Sequence, residues 1–101
     1  MTTGLAHRAE SAAADIVADI TELVGCETHS YDLTALAKGA DLLADLLTSR
    51  LGPPASLHRH PGGECGDVLV ATYPGQGAGH VAIVGHYDTV WPTGTLFGWP
   101  V

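Results

Sequence analysis

Basic residues are scarce in this sequence: 4 Lys and Arg stand against 11 Asp and Glu in 101 residues, a formal charge of -7. So acidic a chain is repelled by phosphate backbones and offers no basic cluster to an anionic bilayer, which argues against nucleic-acid and membrane-surface roles. Aromatic residues are few as well, at 6%. Without basic neighbours, Trp91 and Trp99 read as packing residues rather than as platforms for stacked bases. Long apolar runs are missing; none approaches the ~20 residues needed to span a bilayer. Residues 1–15 contain Glu10 and Asp15 and no apolar h-region, so no signal peptide is expected and a cytoplasmic location is the default. The 2 cysteines, Cys26 and Cys65, lack C-x-x-C spacing and read as free thiols in a reducing compartment.

What remains is enough for one globular unit. Hydrophobic residues make up 46% and charged residues 15%, far from a disordered composition and of a length suited to a single domain. The first dozen residues are weakly patterned. From Asp15, the apolar Ile16, Ile20, Leu23 and Val24 share one helical face, and Gly25 is placed to end the helix. Residues 26–31 read as a loop. Asp32 is a plausible N-cap for a second helix whose Leu33, Leu36, Ala37, Ala40, Leu43, Ala44 and Leu47 recur at three and four. Gly39 weakens that helix by roughly 1 kcal/mol relative to Ala, which seven stripe positions outweigh. Gly52 with Pro53 and Pro54 closes it.

Beyond the prolines the period changes to two. Residues 57–60 suggest a short strand, Pro61-Gly62-Gly63 a turn, and residues 67–73 a β-rich run. The glycine-rich residues 74–79 read as a hairpin-type loop; a phosphate loop would open a helix, whereas this one leads toward a strand. Residues 80–84 are expected to form that third strand. Val81, Ala82, Ile83 and Val84 do not alternate with polar residues, so both faces should be buried at a central position. Two helices can cover one face of such a sheet, yet nothing here supplies the second layer. Each large apolar side chain left uncovered forgoes about 1.5–3 kcal/mol, so the chain is expected to be incomplete or to need a partner.

The chemistry-bearing residues sit where that third strand ends, at Gly85-His86-Tyr87-Asp88-Thr89. Open α/β sheets place their chemistry at the carboxyl ends of strands. In extended chain, residues i and i+2 share a face, so His86 and Asp88 can enter one cleft. The imidazole would bind a divalent metal through one nitrogen while the carboxylate accepts the other N–H, fixing tautomer and orientation. A surface His-x-Asp pair that merely follows a strand is the alternative on these two residues alone. His58 and His60, also at i and i+2, could pair on a metal but fit ordinary outward-facing positions better. His29 and His80 read as solvated or capping residues, and Glu64-Cys65 lacks partner spacing.

The wider motif adds to this. His86-Tyr87-Asp88-Thr89-Val90-Trp91-Pro92-Thr93-Gly94-Thr95-Leu96 resembles the first metal motif of the zinc-dependent aminoacylase/carboxypeptidase family. That family includes glutamate carboxypeptidase, acetylornithine deacetylase and succinyl-diaminopimelate desuccinylase. Leu23-Val24 with Cys26-Glu27-Thr28 and Ser30 is similar to its early segment after the first helix. The order of elements from about Asp15 onward also matches, and Trp-Pro-x-Gly-Thr looks closest to the glutamate carboxypeptidase-like branch.

The resemblance implies an α/β fold, with two N-terminal helices packed on a mixed β-sheet as the start of a three-layer zinc-peptidase catalytic domain spanning residues 1–101. It implies that His86 is a ligand to one of two zinc ions and that Asp88, the candidate catalytic carboxylate, orients it. Cobalt or manganese would suit the same donors. Such a metal pair polarises a substrate carbonyl and lowers the pKa of a bound water. The family hydrolyses amide bonds of N-acyl amino acids, or releases C-terminal residues of peptides, and a homodimer is compatible with its full-length form. The remaining metal ligands and the general-base Glu would lie after residue 101, so the chain reads as an N-terminal fragment, inactive alone. Two other readings stay open: a non-catalytic remnant acting as an interaction module, and one half of a split enzyme.

Overall fold

A computed structural model describes residues 2–98; Trp99, assigned to packing above, lies outside them. Three helices lead the chain: α1 over Thr2–Ser11, α2 over Ala13–Gly25 and α3 over Leu33–Leu51. A hairpin of β1 (Ser56–His60) and β2 (Val68–Thr72) follows, then a short 3-10 turn over Thr95–Gly98. The architecture mixes helix and sheet, as expected.

The helix α1 is an addition to the expected pair. It lacks an apolar stripe, but Ala6, Ala9 and Ala12 are strong helix formers, and the helical hydrogen bonding runs almost unbroken into α2. The Ala12 N–H donates to Arg8 O at 3.0 Å and the Ile16 N–H to Ala12 O at 2.9 Å. Gly25 is the last residue of α2, and Cys26 leaves it in extended conformation.

Helix α3 follows the sequence closely at both ends. The Asp32 carboxylate accepts from the Ala35 N–H at 3.0 Å, which satisfies one of the orphan donors of the first turn. At the other end Gly52 takes φ 81°, a left-handed φ that costs a glycine nothing. The middle of α3 carries the core: Leu36 is 2% exposed and Ala40 fully buried. Arg50 near its end grips Asp19 of α2 through two parallel bonds of 2.8 Å each. That pair holds the Asp19 carboxyl below its ordinary range, the hydrogen bond from Arg50 being the main cause.

The sheet is a two-stranded antiparallel hairpin, not a mixed sheet. Its register pairs Ser56 with Thr72 and Arg59 with Leu69, so Leu57, Arg59, Leu69 and Ala71 share a face. Arg59 crosses to α3, donating to Asp41 Oδ1 and to Ala37 O, and also holds Asp67 Oδ2 at 2.8 Å. The Tyr73 hydroxyl donates to Gly52 O at 2.9 Å, tying the end of the hairpin to the close of α3.

The expected third strand is not formed. Residues 80–84 carry no strand or bridge, and Val81, Ile83 and Val84 are 91%, 96% and 92% exposed. A strand exists only through a neighbour that accepts and donates along it. Among the described residues, β2 pairs with β1 alone and nothing pairs with 80–84. The expectation of two buried faces is therefore corrected: the apolar run is there, but the layers that would bury it are not among these residues.

Candidate metal centre

The segment around His86 is held not by a sheet but by the loop between α2 and α3. His29 and Thr89 form an isolated parallel bridge. The Thr89 N–H donates to Thr28 O at 2.8 Å and the Ser30 N–H to Thr89 O at 3.0 Å. Thr28 is itself buried, at 6% exposure, and its hydroxyl donates to Tyr87 O at 2.5 Å. The Tyr87 hydroxyl donates in turn to Asp67 O. Burial, with the Asp67 charge behind it, pushes the Tyr87 phenol above its ordinary value and keeps it a donor.

This contact depends on Gly39. A Cβ at position 39 would overlap Thr28 Cγ2 and touch the Tyr87 ring. The glycine that weakens α3 locally is thus what lets the helix pass directly beneath the bridged loops.

On this frame His86 and Asp88 meet as expected. His86 Nδ1 lies 3.1 Å from Asp88 Oδ1 and 2.9 Å from Asp88 O. Both oxygens accept, so the proton belongs on Nδ1 and the lone pair on Nε2. The ring is 84% exposed. The other carboxylate oxygen, Asp88 Oδ2, accepts from Ser30 Oγ at 2.6 Å. That bond, helped by His86, holds the Asp88 carboxyl below its ordinary value against a smaller opposing effect of burial.

The tail of the motif is anchored to the same loop. The Glu27 carboxylate accepts from the Gly94 N–H at 2.9 Å and the Leu96 N–H at 3.3 Å. Thr93 Oγ1 donates to Asp32 Oδ2 at 2.7 Å. Asp32 therefore serves two elements at once, and the hydrogen bond from Thr93, followed by that from Ala35, holds its carboxyl below the ordinary range. The hydrogen-bond partners of Ser30, Glu27 and Thr93 are not legible locally, because each lies far away in the chain; for Ser30 and Asp88 the separation is 58 residues.

A cleft of about 1100 Å³ opens beside the site. Leu23, Leu36, Leu47, Leu69 and Ile83 line it, with His86 and Asp88 among its polar groups. So apolar a lining is an unclosed core as much as a substrate cleft. Of the other candidates, His29 is bridged through its backbone to Thr89, and Cys26 and Cys65 line the same cleft. The His58 and His60 rings stack with centroids 5.9 Å apart, and His29 meets Tyr31 edge-on. Cys26 and Cys65 are free thiols.

The donor chemistry fits a divalent metal as a single ligand: Nδ1 is satisfied and Nε2 is open to solvent. Among the described residues no three His, Cys, Asp or Glu side chains converge as a closed metal site would require. No described helix is long and apolar enough to cross a membrane. Comparisons with known protein families, curated proteins and solved structures find no match.

Proposed function

We propose that this chain is the N-terminal part of the catalytic domain of a cytoplasmic di-zinc amidohydrolase of the aminoacylase/carboxypeptidase type. Its substrates would be N-acyl amino acids or peptides losing a C-terminal residue, in the manner of glutamate carboxypeptidase. One observation carries the reading. The two segments whose motifs resemble that family, residues 23–30 and 86–96, meet through Glu27, His29 and Ser30 and jointly orient His86 with Nε2 free. His86 would hold one metal through Nε2, and Asp88 would fix the ring by accepting the Nδ1 proton. A bound metal pair, zinc or else cobalt or manganese, would supply carbonyl polarisation and an activated water. Glu27 and Asp32 keep the 93–96 segment in place beside that ligand.

A second reading, one half of a split enzyme or an interaction module, draws on the exposed residues 81–84, which suit pairing with another polypeptide. Dialysis of the purified chain against zinc, followed by metal analysis and an amidase assay, tests the main reading. The expected result is less than one zinc per chain, lost in His86→Ala, with no turnover above buffer. Stoichiometric tight zinc with turnover would overturn the fragment reading. Zinc retention unchanged in His86→Ala would overturn the assignment of the ligand.

A further inference from the structure

We propose that Ser30 is a positioning residue for His86: its hydroxyl anchors the Asp88 carboxylate, which then holds the imidazole with Nε2 presented outward. The inference rests on the reading of His86 as a metal ligand, and it adds to that reading the group that keeps the ligand aimed.

The two oxygens of Asp88 are divided between two partners, Ser30 Oγ at 2.6 Å on Oδ2 and His86 Nδ1 at 3.1 Å on Oδ1. Ser30 Oγ also stands 3.0 Å from Thr89 O, but a hydroxyl has one proton to donate. Thr89 O already accepts the Ser30 N–H, and the shorter, charge-assisted bond to the carboxylate takes the hydroxyl proton. The Ser30 backbone is itself fixed by the bridge to residue 89, under which Thr28 is buried. Orientation of His86 needs such help, because a ring 84% exposed has little packing to hold it. Without Ser30 the Asp88 side chain, itself 45% exposed, is free to turn its carboxylate away. Nδ1 would then keep only the contact to Asp88 O at 2.9 Å. The tautomer preference should therefore weaken rather than vanish.

The test uses the full 101-residue chain labelled with 15N-histidine, with every sample at the same mildly alkaline pH. Long-range proton–nitrogen spectra read the tautomer, and His86→Gln identifies the resonance. The wild type is expected to be mainly Nδ1–H. Ser30→Ala should shift the ratio toward Nε2–H by about fivefold, the weight of one net hydrogen bond. Ser30→Thr, which keeps the hydroxyl, should restore it. Zinc titrated into the same samples should shift His86 Nε2 and bind about tenfold more weakly in Ser30→Ala, in the range found for residues that support a ligand. If Ser30→Ala does not fold, Ser30→Cys reads the same shift with only a weak donor in place of the hydroxyl. A wild-type ring that is mainly Nε2–H, or a ratio unchanged by loss of the hydroxyl in a folded variant, overturns the inference. Zinc that leaves the wild-type His86 resonance unmoved overturns the metal-ligand reading instead, while the tautomer ratio still reports on Ser30.

Discussion

Gly39 and Thr28 meet so closely that the helix has no room for a methyl group where it passes the loop. On helix propensity alone, Gly39→Ala should stabilise α3 by ~1 kcal/mol. The overlap with Thr28 Cγ2 reverses the sign, since overpacking costs about 1–3 kcal/mol. Gly39→Ala is therefore expected to lower stability in urea. Thr28→Ser removes Cγ2 but keeps the hydroxyl that serves Tyr87 O, so in that background the same substitution should become neutral or stabilising. A double-mutant cycle measures the coupling, and a cycle that closes additively would refute this account of the glycine.

Glu27 holds two backbone N–H groups of the motif tail. Glu27→Ala should accelerate amide exchange at Gly94 and Leu96 by about tenfold or more, as expected for hydrogen bonds to a charged acceptor. The Ser30 amide, bonded to Thr89 O, should keep its protection. Uniform acceleration at all three would point to general loosening in place of a specific anchor.

Acid should lower the stability of the chain through carboxylates that are held ionised. Asp19 is held down chiefly by Arg50 and Asp32 chiefly by Thr93, each below the ordinary value of 3.8. A depressed folded-state pKa means that the unfolded chain binds the proton first, so stability falls as pH falls. The contribution is intact above 3.8, and it is lost between that value and the lower folded-state values. Thermal midpoints measured against pH should show a decline confined to this acid window. Arg50→Ala should make the decline shallower by removing the cause at Asp19.

The exposed run at 81–84 should govern association more than folding. Ile83→Lys changes a side chain that is 96% exposed, so urea stability should move by no more than about 0.5 kcal/mol. Sedimentation and light scattering should show less self-association than in the wild type, because a charge on an unpaired apolar segment blocks edge-to-edge pairing. A large loss of stability would mean that this segment is packed in the isolated chain.

Local chemistry was readable in the residues themselves. Asp32 and Gly52 mark the ends of α3 because capping and left-handed φ are decided within one turn of chain. The hairpin strands were readable for the same reason, with the prolines and glycines as punctuation. The nearly unpatterned α1 has no apolar stripe from which its period could be read. The proximity of His86 and Asp88 follows from their i, i+2 spacing.

The sequence by itself determined α2, α3 with its caps, the two hairpin strands and the pairing of a histidine with a neighbouring carboxylate. Only the tertiary structure decided that Ser30 grips the far oxygen of Asp88, that Glu27 and Asp32 anchor residues 93–96, and that Gly39 clears the way for Thr28. It also decided that residues 80–84, apolar enough for a central strand, find no pairing strand among the described residues. The physical reason is common to all of these. Caps and turns are satisfied by neighbours in sequence, whereas a strand, a close helix crossing and a carboxylate's second partner depend on what the fold brings from far along the chain.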